Sequence, residues 1–252
     1  MTVPPPLLRS ALLATLPGIA AGFSTRAGGT SAGPYGSLNL GRSTDDDPDA
    51  VAENRRRFFA ALGFTPEDAA IAGQVHGTRV QRVTEGGLYL GTDGLATATP
   101  GVLLCITAAD CAAVLLADAE ARVVGACHAG WRGAVGRIVA DTVKAMQQLG
   151  ADPARMRAYV GPCIGAEAFE VGPEVAAQFD PAFVQDGPRG RPHVDLKGAL
   201  RAQLVEAGLA EDALDVSPCC TVTESERFFS HRASGGVTGR MMGAIGMRPA
   251  GV

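Results

Sequence analysis

The order of apolar and polar positions predicts several strands that are buried on both faces. GVLLCITAAD (101–110) and ARVVGACH (121–128) are short, continuous apolar runs, which is the pattern of such strands. QVHGTRVQRV (74–83) alternates like a strand that is interrupted at His76-Gly77. The first two runs and the interruption carry the chain's chemistry-bearing side chains close to strand ends.

Three other segments place apolar side chains at helical spacing. A helix is predicted after the acidic stretch DDDPD and ends at Gly63, because acidic residues cap a first turn and glycine stops a last one. A second helix is predicted over 134–149, closed by Gly150. A third is predicted over 194–209, with leucines on one face.

Strands and helices mix along the whole chain. MRAYVGPCIG predicts a strand that ends in a Gly-Pro turn, and the tail 226–247 predicts a loop and a final strand. The Gly/Ser-rich stretch 22–44 contains Phe23 and Leu38, so it predicts a structured loop system and not a linker. We therefore predict one α/β domain over 1–252, with a mixed sheet and flanking helices.

Composition narrows the function classes. With 252 residues, 46% of them apolar, the chain can bury a full core without a disulfide or a metal. A net charge of −4 argues against nucleic acid and against an anionic membrane as partners. The apolar N-terminal stretch lacks a basic leader, and no run reaches the about 18 apolar residues of a membrane span. We predict a cytoplasmic protein whose six cysteines are thiols, ligands or nucleophiles.

His76, Cys111 and His128 form the candidate site. Each lies where a buried strand gives way to a turn, and the spacings of 35 and 17 residues match no local zinc-finger pattern. Three ligands from three strand ends are typical of a catalytic zinc, which keeps a fourth position open. The alternative is that the cysteines are small buried apolar side chains and that His128 is a turn residue.

Two neighbours of this set favour a phosphate or nucleotide-like substrate. Asp110 directly precedes Cys111, and packing alone does not explain an acid beside a buried thiol. HAGWRGAVG places Arg132 at the start of the predicted 134–149 helix, where N–H groups and a guanidinium favour an anion. We expect an anion-accepting pocket beside Arg132.

Seven motifs of the chain resemble those of a known family. GFSTRAGGTSAGPYGSLNLG, DDPDAVAENRRR, QVHGTRV, TAADC, HAGWRG, GPCIGAEAFEVGPEV and ERFFSHR…TGRM, in this order, are similar to the YfiH-like family, also called the laccase-domain or polyphenol-oxidase-like family. The similarity runs from about residue 20 to about residue 245. This sequence has GTDGL where D-A-D-A-L is usual, a change that we expect to leave the metal ligands untouched.

The resemblance implies a fold, a metal and an activity. It implies a single YfiH-like α/β domain and one zinc ion bound by His76, Cys111 and His128. It also implies phosphorolysis of adenosine, inosine and methylthioadenosine, with deamination of adenosine as a second activity. Bacterial members are further associated with editing of peptidoglycan precursors.

The chemistry of the available residues ranks these activities. Four histidines cannot hold the several coppers of a true laccase, which we therefore reject. In phosphorolysis, Arg132 would hold phosphate together with Arg26 or Arg55, and Asn39 would bind ribose or base. Deamination ranks second, because zinc deaminases use a non-ligand Glu and only Asp110 is available as a substitute.

Two other classes stay open. One is a cysteine hydrolase with Cys111 as nucleophile and His128 as base, which would suit peptidoglycan-precursor editing. The other is a metal-binding interaction protein without enzymatic activity. His231 and Arg232 would reach the pocket if the two preceding phenylalanines anchor their loop, whereas His193 is predicted to be exposed. No feature of the sequence sets the oligomeric state.

Overall fold

The computed structural model describes residues 4–249, so the ends of the predicted 1–252 domain lie outside the described residues. Its strands are β1 Leu7–Leu8, β2 Ile19–Ser24, β3 Ala69–Gly73, β4 Val80–Arg82, β5 Gly87–Leu90, β6 Gly94–Thr97, β7 Leu103–Ala108, β8 Ala112–Asp118, β9 Val123–Ala129, β10 Arg157–Val160, β11 Val184–Asp186, β12 Pro192–Val194, β13 Leu214–Val216 and β14 Met241–Met247. Its α-helices are α1 Ala11–Ala14, α2 Pro48–Leu62, α3 Trp131–Val135, α4 Ile138–Gln147, α5 Pro173–Ala176 and α6 Leu196–Glu206.

The strands form two six-stranded mixed sheets. The first has the order β1-β2-β14-β7-β3-β5 and the second β13-β10-β8-β9-β6-β4, and β11 and β12 make a separate hairpin. Parallel and antiparallel pairs occur in both large sheets. The predicted α/β class with a mixed sheet is confirmed, but the division into two sheets was not foreseen.

The sheets pack face to face and each carries helices on its other face. Leu104 and Ile106 of β7 meet Leu115 of β8 in a core between the sheets. Alternate side chains of the same strands point outward, Cys105 toward α2 and Val114 toward α4 and α6. This four-layer arrangement explains the continuous apolar runs, because every central strand is covered on both faces.

Helix α2 begins and ends as the sequence predicts. The Asp47 side chain accepts a hydrogen bond from the N–H of Asp49, and Gly63 follows the helix in the left-handed conformation at φ 84°. The predicted 134–149 helix is instead two helices, α3 and α4. They are separated at Gly136 and Arg137, where Arg137 has a φ of 64° that interrupts the helical hydrogen bonds.

Within the described residues, no helix is both long enough and apolar enough to cross a membrane.

The stretch 22–44 is structured, and part of it is strand β2. The loop that follows β2 is held by Asn54 of α2, which is fully buried. Its carbonyl oxygen accepts from the N–H and the hydroxyl of Thr30, and its amide donates to Ser31 Oγ and to the carbonyls of Ser37 and Asn39.

We expect Asn54→Ala to lower the free energy of unfolding by about 2–4 kcal/mol, because it leaves several buried backbone and hydroxyl groups unpaired. Urea denaturation measures this loss. Arg56→Ala is the matched control on the same helix, since its ion pair with Glu53 is exposed and should contribute little to stability. Equal losses for the two variants would contradict the role given to Asn54.

Candidate metal centre

The three predicted ligands meet at one end of the two sheets. His76 lies where the chain crosses from β3 in the first sheet to β4 in the second, and Cys111 lies where it crosses from β7 to β8. His128 belongs to β9. One ligand atom from each side chain lies within 4.8 Å of the other two, and the imidazole rings are 4.9 Å apart at 81°.

This geometry fits a single metal ion. Ligand atoms of a tetrahedral zinc site lie about 3.3–3.6 Å from one another, so small side-chain rotations close the observed separations. Two imidazoles and a thiolate suit a borderline-soft ion such as zinc. Three protein ligands leave a fourth position for water or substrate, which is the arrangement of a catalytic site and not of a structural one.

Asp93 organises both histidines. Its carboxylate is fully buried, and Oδ1 lies 3.0 Å from Nδ1 of His128. The same carboxylate accepts from the backbone N–H groups of Val75, His76 and Gly77 at 2.8–3.0 Å. Because Nδ1 of His128 is engaged by Asp93, Nε2 is the nitrogen that is free to bind a metal.

Sequence reasoning misses Asp93. It lies in the GTDGL stretch, which was expected to leave the ligands untouched. One signal could have found it: Asp93 is an acid directly before the buried strand β6. An acid at such a position is expected to be buried and therefore to accept several hydrogen bonds. Its donors come from the turn that holds His76 and from β9, so no local pattern in the sequence connects them.

Charge on Cys111 and His128 is strongly coupled. Burial raises the pKa of the Cys111 thiol, but hydrogen bonds and attraction from His128 and His76 outweigh it and bring the pKa to about 6. Burial lowers the pKa of His128, but Asp93 and Cys111 outweigh it and bring this pKa to about 9. Both shifts favour the charged forms, the thiolate of Cys111 and the imidazolium of His128.

The neighbouring cysteines behave differently. Cys105 and Cys127 are fully buried, and burial raises the pKa of each thiol to about 12. Cys127 adjoins His128, but the alternation of β9 turns the two side chains to opposite faces, as the sequence predicts. Cys105 and Cys127 are therefore packed thiols.

Gly130 lets the chain pass close to the ligands. A Cβ at this position would lie 2.7 Å from Sγ of Cys111 and 3.6 Å from the His76 ring. The φ of −76° is accessible to any residue, so proximity and not backbone conformation requires glycine here. The glycine of HAGWRG thus leaves room for the thiolate.

The ligands line a cavity of about 390 Å³. Its wall includes the aromatic residues Trp131 and Phe169 and the cationic residues Arg232 and Arg240. The remaining lining residues are Ser43, Gln74, His76, Thr107, Ala108, Ala109, Asp110, Cys111, His128, Gly130, Ile164, Leu196 and His231. This volume lies in the range of small-molecule sites.

Asp110 lines the cavity as expected, but its oxygens are engaged. Oδ1 accepts from the Thr221 hydroxyl at 2.6 Å and Oδ2 from the backbone N–H of Arg232 at 2.7 Å. Asp110 also has a φ of 79°, a conformation that is uncommon outside glycine and often found at functional sites. The carboxylate therefore holds the 221–232 segment against the ligand end of the sheets.

Arg26 and Asn39 do not line the cavity. Arg26 donates to the carbonyls of Gly36 and Ser225, and its guanidinium lies 4.8 Å from the Phe229 ring. Asn39 is fully buried, and Oδ1 accepts from the backbone N–H groups of Gly41 and Arg240. Both side chains organise loops around the cavity, so their predicted contact with substrate is not supported by their placement.

Arg132 also lies outside the cavity lining. It is exposed, and its guanidinium lies 4.5 Å from the centre of the Trp131 ring. Successive side chains on a helix point about 100° apart, so Trp131 faces the cavity and Arg132 does not. The cavity wall is therefore lined by Arg232 and Arg240 and not by Arg132, beside which the anion pocket was expected.

The other two histidines lie in different environments, and only that of His193 differs from the one expected. His193 is buried, and Nδ1 lies 2.9 Å from the Ala166 carbonyl, so its predicted exposure is wrong. His231 lines the cavity together with Arg232. Phe228 and Phe229 are fully buried and anchor this loop.

Known proteins are similar to this chain in fold and in sequence. The family model described as "Multi-copper polyphenol oxidoreductase laccase" matches residues 20–248. The chain belongs to this family. A Deinococcus radiodurans protein named purine nucleoside phosphorylase is 51% identical, with 98% of this chain and 95% of that protein aligned. The structure of YlmD from Geobacillus stearothermophilus has a TM-score of 0.91 at 36% identity over 96% of each chain. YfiH from Bacillus licheniformis has a TM-score of 0.86 at 33% identity over 91% of this chain and 93% of that one.

The copper in the family's description does not follow from this site. A multicopper oxidase needs many imidazoles, and the chain has four histidines. Across residues 4–249, a single group of side chains, His76, Cys111 and His128, is close enough to hold an ion. The described part of the chain therefore offers one candidate metal centre.

We expect Asp93→Asn to weaken zinc binding by about 10- to 100-fold, because the amide cannot accept all the hydrogen bonds that orient His76 and His128. Competition with a chromogenic chelator measures the affinity. Asp118→Asn is the matched control, since Asp118 is an equally buried acid that binds Arg155 away from the cavity. Wild-type affinity in Asp93→Asn would refute this positioning role.

Proposed function

We propose that this chain is a zinc-dependent purine nucleoside phosphorylase. The observation that carries the proposal is the convergence of His76, Cys111 and His128 on a cavity that also offers two aromatic rings and two guanidinium groups. The name of the Deinococcus radiodurans relative supports it. The substrates would be a purine nucleoside, such as adenosine, inosine or methylthioadenosine, and phosphate.

The cavity side chains divide between the two substrates. Trp131 and Phe169 offer flat apolar surfaces on which a purine stacks. Arg232 and Arg240 donate to backbone carbonyls through Nη atoms, which fixes both guanidinium groups in place. We assign their remaining N–H groups to phosphate, a ligand for which arginine geometry is suited.

The reaction forms one bond and breaks one bond. A phosphate oxygen attacks the anomeric carbon, the glycosidic C–N bond breaks, and the purine leaves with the electron pair and takes up a proton. Bound zinc supplies Lewis acidity that stabilises developing negative charge. His231 lines the cavity without being a ligand, so we assign to it the proton exchange with the leaving base.

A cysteine hydrolase is the second candidate, and the pKa shifts of Cys111 and His128 favour it. The lowered pKa of Cys111 and the raised pKa of His128 are in the directions that an activated nucleophile and its acid partner need. Adenosine deamination has less support, because both oxygens of Asp110 are engaged and cannot readily shuttle a proton. A metal-binding interaction protein would need neither the aromatic rings nor the guanidinium groups in the cavity.

We place the enzyme in the cytoplasm. All six cysteines are free thiols, and Cys105, Cys127 and Cys163 are fully buried and shielded from oxidation. A zinc-binding thiolate also needs a reducing compartment to stay available. Neither substrate in the proposed reaction is a nucleic acid or a membrane component.

A product assay tests the proposed reaction. Purified protein with measured zinc content is incubated with adenosine and phosphate, and the products are separated by chromatography. We expect adenine and ribose 1-phosphate, and no turnover of adenosine to adenine without phosphate. Inosine as the product would indicate a deaminase. If neither adenine nor inosine forms, the result would favour the cysteine hydrolase.

Cys111→Ser separates the metal ligand from the nucleophile. We expect the folded variant to lose both activity and bound zinc, because a hydroxyl is a far poorer zinc ligand than a thiolate. The core does not depend on the ion, so circular dichroism should stay unchanged. Elemental analysis of the purified variant measures the zinc content.

Cys127→Ser is the matched control. It makes the same change next to a ligand but on the opposite face of β9, so zinc content and turnover should be retained. Full zinc occupancy in inactive Cys111→Ser would instead make Cys111 a nucleophile. That result would overturn the proposed role of the thiolate.

A further inference from the structure

A second cavity lies between helix α2 and the loop that precedes it. Its volume is about 590 Å³, larger than that of the metal cavity. Apolar side chains of Val51, Phe59 and Ile71 form part of its wall. Arg42 and Arg55 contribute two guanidinium groups to the same wall.

Arg55 is a buried cation without a carboxylate partner. The residue is only 8% exposed, and its Nε donates to the carbonyl of Leu40 at 2.8 Å. Among residues 4–249, no acidic side chain forms an ion pair with it. Burial lowers its pKa to about 10, with a smaller raising effect from Cys105 and a still smaller lowering from Arg42, so the side chain remains charged at neutral pH.

The acid in the cavity wall, Asp46, does not serve as that partner. Asp46 also lines the cavity, but its Oδ2 accepts from the Ser31 hydroxyl and from the Asn39 amide. Its Oδ1 accepts from the N–H of Asp47. Asp46 thus stabilises the loop and does not neutralise Arg55. The charge of Arg55 is therefore available to an anion in the cavity.

We propose that this second cavity is a binding site for a small oxyanion with an apolar body, with Arg55 as the main anion contact. Burying an unpaired charge is costly unless an opposite charge accompanies it. The Nη groups of Arg55 and the nearby Arg42 offer a phosphate or carboxylate a forked set of donors. The apolar wall formed by Val51, Phe59 and Ile71 then accommodates a non-polar group attached to the anion.

The second cavity adjoins the metal cavity without sharing its ligands. Gly41, Arg42 and Thr44 line the second cavity, whereas Ser43 of the same loop lines the metal cavity. The only tryptophan of the chain, Trp131, lines the metal cavity. Its fluorescence therefore reports occupancy of the metal cavity and not of the second one.

Phenyl phosphate and inorganic phosphate are the probes, each titrated into the full zinc-loaded protein by calorimetry. We expect phenyl phosphate to bind more tightly, because it fills the apolar part of the second cavity as well as its cationic part. Further additions of phenyl phosphate should still release binding heat at concentrations where any change in Trp131 fluorescence is already complete. Weaker binding of phenyl phosphate than of inorganic phosphate would contradict the proposed apolar subsite.

Arg55→Gln removes the charge but keeps an N–H donor for the carbonyl of Leu40. We expect it to weaken this binding component by at least about tenfold while leaving the Trp131 response unchanged. Arg56→Gln is the matched control, since Arg56 is exposed on the same helix and pairs with Glu53. Binding that is unchanged in Arg55→Gln, or that always accompanies the Trp131 response, would overturn the second site without affecting the proposed phosphorylase.

Discussion

The carboxylate of Asp93 accepts hydrogen bonds from three backbone N–H groups of the 75–77 turn and engages the imidazole of His128. Its backbone carbonyl also accepts from the N–H of His128 at 2.7 Å. One buried acid thus fixes the position of the turn, the orientation of one ligand and the nitrogen that this ligand presents. The hydrogen bonds satisfy the buried charge of Asp93, and burial in turn strengthens them.

This cluster forms where the chain repeatedly crosses between the two sheets. His76 lies on the β3–β4 crossing, Asp93 on the β5–β6 crossing and Cys111 on the β7–β8 crossing. A crossing needs a sharp change in chain direction, and His76 has a φ of 60° and Asp110 a φ of 79°. Such conformations are retained when surrounding contacts compensate their cost. The packed sheets provide those contacts and hold the ligands close to one another.

Local signals in the sequence predicted several of the individual elements. The helix α2, its acidic start and its Gly63 stop follow from capping chemistry that lies within a few residues. Continuous apolar runs correctly indicated the strands β7 and β9, because such runs require cover on both faces. The same runs cannot tell whether that cover is a helix or another sheet, so the pairing of two sheets was not predictable from them.

The sequence by itself determined the α/β class and brought His76, Cys111 and His128 forward as candidates, since residue type and position at strand ends are local properties. Tertiary structure alone decided which charged side chains join them. Arg232 and Arg240 reach the cavity from the distant tail, whereas Arg132, only four residues from His128, turns away on α3. The physical reason is that hydrogen-bond acceptors and cavity walls come from residues far apart in sequence, and sheet packing alone brings them together.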